Sequence, residues 1–98
     1  MSLVAVRRRK QERDRLYDLA EYRALLQRVA ENLSALRHSR QYSQEEAAHV
    51  CDVTLRLYQR LETGESNATM LTLARIAKGM KVDVSALFHS PGRRGSRS

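Results

Sequence analysis

Apolar residues recur every three or four positions through most of the chain. Leu16, Leu19, Tyr22, Leu26, Val29, Leu33 and Leu36 form the first such series. That period is helical, and the strict alternation of a half-buried strand is absent. The series predicts an amphipathic helix that nothing breaks until about Ser39, either as one rod or as two helices with a joint near Gln27–Arg28. From Arg15 to Phe88 there is no proline, and only Gly64 and Gly79 are glycines, so polar residues must mark the other boundaries. Ser43-Gln44-Glu45-Glu46 is a capping box, in which the first and last side chains each satisfy a backbone N–H of the opening turn. The helix it starts is short, because Cys51-Asp52-Val53-Thr54 interrupts it. Asp52 tolerates a left-handed backbone better than most residues, and Thr54 is a good N-cap. The next helix runs from Leu55 to Thr63 and stops at Gly64, a natural residue for the position just past a helix. After the polar loop Glu65-Ser66-Asn67-Ala68, Thr69 caps a fourth helix with Leu73, Ile76, Ala77 and Met80 on one face. Asp83 caps a last short helix ending at Leu87-Phe88. The pattern predicts an all-α domain of five helices with an extra N-terminal amphipathic helix. Residues 1–15 form an arm, 16–28 a helical extension, 29–88 the domain body and 89–98 a tail.

Charge gives the ends a different character from the body. The 98 residues carry a net charge of +7, which points to a polyanionic partner. Residues 1–15 hold six cations, Arg7, Arg8, Arg9 and Lys10 among them, against two acids, and residues 89–98 add three arginines and no acid. The stretch 16–88 has nine cations and nine anions, so all the excess lies in the two ends. Basic arms of this kind reach phosphates and add affinity without sequence information. The tail, rich in Gly, Ser, Pro and Arg, has the composition of disorder.

Other classes of function are excluded in turn. No apolar run approaches the roughly 18 residues of a membrane helix. At the N-terminus a short apolar stretch precedes the arginines, the reverse of a secretory signal. Cys51 stands alone, so no internal disulfide forms, and a cytoplasmic protein is expected. His38, His49 and His89 are scattered, and His49-x-Cys51 supplies only two of the three or four ligands a zinc site needs. With no phosphate-cradling Gly-rich loop either, neither catalysis nor a metal or other cofactor is expected.

Two short helices joined by a four-residue turn are what a helix-turn-helix requires. The residues go further. Gln44-Glu45-Glu46-Ala47-Ala48, Val53-Thr54, Tyr58, Leu61-Glu62-Thr63-Gly64, Leu73, Ile76-Ala77, Met80-Lys81-Val82 and Leu87-Phe88 together resemble the lambda-repressor/Cro-like (XRE-type) helix-turn-helix family. The resemblance spans Val29 to Phe88. It implies a regulator of transcription, a repressor that binds operator DNA as a dimer through a helix in the major groove. It also implies that Ala48 sits where the two motif helices approach closely, that Val53, Tyr58 and Leu61 are buried, that Cys51 is packing rather than a reactive thiol, and that Arg37 pairs with Glu62. The recognition helix would expose Leu55, Arg56, Leu57, Gln59 and Arg60. Arginine can fork onto guanine, glutamine can pair with adenine, and leucine can pack on thymine methyls. Gln44, Thr54, Thr63, Ser66 and Asn67 would hold the DNA backbone.

The chain departs from the family pattern at several places. Asp52 replaces the usual turn glycine, Glu65 stands where a cation is preferred, Ala68 replaces a frequent proline, Ala47 a frequent leucine, and Lys81 a glycine. The two acids predict weak binding by one copy, strengthened by the basic arms or by dimerisation. Leu16, Leu19 and Tyr22 lie outside the family pattern and must bury against the body or another chain. A homodimer through this helix or through Val82, Val84, Leu87 and Phe88 is expected. The competing reading is a protein-interaction module or antitoxin-type regulator whose main partner is another protein, bound by the leucines of the reading face and the N-terminal helix.

Overall fold

The computed structural model describes residues 19–90. Four α-helices, α1 (Ala20–Ser39), α2 (Gln44–Val50), α3 (Leu55–Glu62) and α4 (Met70–Met80), are followed by a 3-10 helix, Val84–Phe88. The described residues contain no strand. The alternatives at Gln27–Arg28 resolve to one rod, so residues 20–28 are the first two turns of α1 and not a separate helix. The fifth expected helix is the 3-10 segment, capped as expected by Asp83, whose carboxylate accepts the Ser85 N–H at 3.0 Å. Leu16 and the basic arm lie outside the described residues, as does most of the tail.

The start signals act as the sequence pattern requires. Ser43 Oγ accepts the Glu46 N–H at 3.0 Å while Glu46 Oε1 accepts the Ser43 N–H at 2.7 Å, completing the capping box. Thr54 caps α3 through the Leu57 N–H, and Thr69 caps α4 through the Thr72 N–H, each at 3.1 Å.

All four helices end alike. A residue with positive φ follows each one: Gln41 at 59°, Asp52 at 58°, Gly64 at 77° and Lys81 at 60°. Around each, two reversed backbone bonds close the helix end. At α1 these are Gln41 N–H to His38 O and Tyr42 N–H to Arg37 O, the pairing of a Schellman motif. Only Gly64 takes this backbone without cost, since a side chain there costs about 1–2 kcal/mol, less for Asp or Asn. Lys81→Gly is therefore expected to stabilise the domain by about 1 kcal/mol, offset slightly by glycine's entropy in the unfolded chain. A urea-denaturation midpoint that does not rise would contradict this.

The core is aliphatic, with one aromatic ring at its centre. Leu33, Ala47, Ala48, Cys51, Tyr58, Leu61, Ile76, Met80 and Leu87 are buried together with Val29. Helix α1 packs on α3 and on the 3-10 helix, and α2 packs on α3 and α4. Val53 is half-buried at the margin of this cluster. Two polar side chains tie distant elements together. Asn32, buried on α1, donates from Nδ2 to Leu87 O at 3.0 Å and His89 O at 2.9 Å, anchoring the exit of the chain. Arg40, at the end of α1, donates to Met80 O at 2.7 Å and so caps the C-terminus of α4, where a cation also suits the helix dipole.

Candidate nucleic-acid interface

The helix-turn-helix pair is held by a network of side chains. Arg37 forks onto Glu62, with Nε to Oε2 at 2.7 Å and Nη2 to Oε1 at 3.2 Å, while Nη1 donates to Tyr42 O at 3.1 Å. Gln44, first residue of α2, donates from Nε2 to Glu62 Oε1 at 2.9 Å. Its amide oxygen is thereby turned to Gln59 on α3, whose Nε2 donates to it at 3.1 Å. Arg37, Glu62, Gln44 and Gln59 thus form a chain joining α1, α2 and α3. The Arg37 and Glu62 side chains are only 16% and 7% exposed, so the ion pair acts in a partly desolvated setting. Burial pushes the Glu62 carboxyl upward, but hydrogen bonds from Arg37, Gln44 and Tyr58, with the charge of Arg37, outweigh it and hold the group below the usual carboxylate range. The hydrogen bond to Glu62 raises the Arg37 pKa further.

Tyr58 sets α3 onto this base. Its ring is wholly buried, burial pushes its hydroxyl pKa upward, and the O–H lies 3.4 Å from Leu33 O. Cys51 is buried too, and desolvation raises its thiol to about 11. A thiol so protected from ionisation is poor as a nucleophile or metal ligand, in line with a packing role.

With Tyr58 and Leu61 turned inward, α3 presents Arg56, Gln59, Arg60 and Thr63 outward. These four and Glu65 line an open depression of about 510 Å³. The side chains of Arg56 and Arg60 have no hydrogen-bond or ion-pair partner among the described residues. Gln59 retains its amide oxygen and one N–H beyond its bond to Gln44. Leu55 and Leu57 differ from expectation. Both are half-buried and pack against the core, because on an eight-residue helix they flank the inward line of Tyr58 and Leu61 instead of sharing the outward one.

The residues expected at the DNA backbone fall around this ridge. Gln44 and the Thr54 cap lie at the N-termini of α2 and α3. Thr63 Oγ1 donates to Arg60 O at 3.0 Å, and in the loop that follows Ser66 Oγ donates to Asn67 O at 3.3 Å. The Gln44–Gln59 bond is a feature that residue spacing alone did not reveal. Fifteen positions separate the two residues, and only the crossing of α2 over α3 brings them together.

The HTH_3 helix-turn-helix family model matches residues 33–87, from the middle of α1 through the 3-10 helix. The chain belongs to the XRE-type helix-turn-helix family. The fold is also similar to that of an HTH_3 family transcriptional regulator from Vibrio cholerae, with 34% identity and a TM-score of 0.62 over 65% of this chain. The XRE-type chain covers 36% of that protein's length. No curated protein matches it. Residues 20–32, the N-terminal part of α1, precede the family match. Among the described residues of this XRE-type domain, no helix is long and apolar enough to cross a membrane, and no three His, Cys, Asp or Glu side chains are placed to hold a metal.

Proposed function

We propose that this XRE-type domain is a sequence-specific DNA-binding regulator of transcription, a cytoplasmic repressor that binds its operator as a dimer. The observation that carries the reading is the outward ridge of Arg56, Gln59 and Arg60, in which both guanidinium groups are unpaired among the described residues and Gln59 keeps its amide oxygen and one N–H, while the helix beneath them is locked to α1 and α2. A helix already held in place loses little backbone entropy on binding, so the network favours docking of α3 as a unit. In this reading α3 enters the major groove, with Arg56 and Arg60 on guanine and Gln59 on adenine. Leu55 and Leu57 supply flanking apolar contact to thymine methyls. Gln44, Thr54, Thr63, Ser66 and Asn67 hold the phosphates. Arg7, Arg8, Arg9 and Lys10, with the arginines of 89–98, add salt-sensitive affinity. In this reading residues 1–15 act as a basic arm and 89–98 as a basic tail around the helix-turn-helix body, and the domain carries out no catalysis.

A titration followed by fluorescence anisotropy tests the reading, using the duplex upstream of the protein's own gene and excess random duplex. Binding that resists the competitor and fits a dimer supports it, while binding that the competitor erases rejects sequence-specific regulation. Arg56→Ala is expected to cost about 1–3 kcal/mol at one position of the site and relax the preference there, with the helical fold intact. Unchanged discrimination between specific and random DNA would remove Arg56 from the reading set.

A second reading is favoured by one observation. Leu19, just before α1, and Leu25 on its second turn are exposed, as are Met70, Leu71 and Val84. A small apolar cavity of about 140 Å³ lies between α1, Leu61, Leu73 and Phe88. A protein partner, as for an antitoxin-type regulator, would bind there and not on the half-buried leucines of α3.

A further inference from the structure

The two flanks of α3 differ in charge. A helix with its side chains is about 10–12 Å across, close to the roughly 12 Å width of the major groove. A docked α3 therefore lies between two sugar–phosphate walls and meets both. One flank is backed by Gln44. The other is an open depression of about 370 Å³ lined by Asp52, Val53, Thr54, Leu57, Thr72 and Arg75. Arg75, on α4, is the single cation of that lining, and it faces an acid: its Nε lies 4.0 Å from Asp52 Oδ2.

That ion pair is loose. The Asp52 side chain is 87% exposed and that of Arg75 47% exposed, and exposed pairs contribute only about 0–1 kcal/mol. The fold does not require the charge of Asp52 either. Its position after α2 demands a residue that accepts φ of 58°, which Gly or Asn meets equally well without a charge. A guanidinium can instead take a phosphate by two parallel N–H bonds, a stronger contact than this one.

We propose that Arg75 grips a DNA phosphate beside the N-terminus of α3, and that Asp52 limits the grip by competing for the same guanidinium. The inference rests on the reading of the domain as a DNA binder and adds a contact on the second wall of the groove. Affinity is then set partly by an exchange in which Arg75 leaves a carboxylate for a phosphate, while Asp52 remains as a repulsive neighbour.

The test uses the full chain and the duplex from upstream of its own gene, titrated at several salt concentrations, with melting curves to verify the fold of each variant. Arg75→Ala is expected to weaken binding about fivefold at 0.15 M salt and to lower the slope of log K on log salt by about 0.9 per bound copy. Asp52→Asn, which keeps the left-handed backbone, is expected to tighten binding several-fold. In the double variant the gain should be smaller, because the group that Asp52 competes for is gone and only its direct repulsion of the phosphate is relieved. Unchanged affinity and slope in Arg75→Ala, or in Arg75→Gln if the alanine variant is unstable, would overturn the contact. An equal gain from Asp52→Asn with and without Arg75 would overturn the competition. If the unaltered chain shows no competition-resistant binding, the DNA-binding reading fails and this inference with it.

Discussion

Gly79→Ala is expected to destabilise the domain by about 3 kcal/mol or more, although the same exchange in an ordinary helix interior gains about 1 kcal/mol. Gly79 lies in α4 where that helix crosses the C-terminal end of α2. A Cβ there would stand 2.3 Å from the Val50 carbonyl oxygen, 2.7 Å from the Val50 carbonyl carbon and 2.8 Å from Cys51 Cα. Carbon and oxygen in van der Waals contact sit more than 3 Å apart, and all three obstacles are backbone, so no rotamer change relieves the clash. The helices must separate, which disturbs Cys51, Ile76 and Met80, all fully buried. Overpacking a close-packed core costs about 1–3 kcal/mol when side chains can yield and more when they cannot. In a domain of this size 1 kcal/mol shifts the melting temperature by about 4–8 °C, so a fall of at least 12 °C is expected. A melting temperature within a few degrees of the unaltered chain would show that α2 and α4 do not approach as described.

The contrast between Gly79 and Asp52 shows which features the residues disclose. Asp52 sits between an apolar run and a capping threonine, and side-chain chemistry alone marks it for the left-handed backbone it adopts at φ of 58°. The Ser43 capping box and the Thr54 and Thr69 caps are local in the same sense, since donor and acceptor lie within three residues. Arg37 and Glu62 are 25 residues apart, and their pairing was legible only through likeness to a family. Gly79 carries no local mark, because its role is set by the carbonyl of Val50 on another helix. The half-burial of Leu55 and Leu57 escaped for a related reason: on a short helix the inward face depends on which neighbours close around it. Asn32, polar and in the middle of an apolar stripe, gave no sign of the two carbonyls it binds.

For DNA binding, the local features build the helices and the non-local ones aim them. The ridge of Arg56, Gln59 and Arg60 is presented correctly only if α3 keeps its roll about its own axis. Tyr58 and Leu61 fix that roll from below, and Glu62 fixes it from the side through Arg37 and Gln44. A disturbance at Glu62 should therefore reach the face proposed to read DNA even though Glu62 itself faces inward.

Arg37→Met makes that coupling measurable. Methionine keeps most of the aliphatic volume but removes both bonds of the fork and the bond to Tyr42 O. Glu62 is left as a nearly buried carboxylate, and breaking such a pair from one side costs about 3–5 kcal/mol, a large share of the 5–15 kcal/mol typical of a whole domain. The pH dependence should weaken as well. In the unaltered chain the Glu62 pKa lies below its ordinary value, so its contribution to stability is present above about pH 4.3 and is lost as pH falls through the folded pKa. Without Arg37, burial is opposed only by the hydrogen bonds from Gln44 and Tyr58, so the pKa is less depressed than in the unaltered chain. The variant then loses less stability than the unaltered chain as pH falls below about 4.3, because less of its stability depends on the charged carboxylate. Urea denaturation of both proteins across that range should give curves that converge on acidification, the unaltered chain losing more than the variant. Parallel curves would mean that Glu62 does not depend on Arg37 for its charge. At neutral pH the surviving folded variant should also bind the upstream duplex more weakly, since Glu62, which holds Gln44 and through it Gln59, loses the fork that positions it.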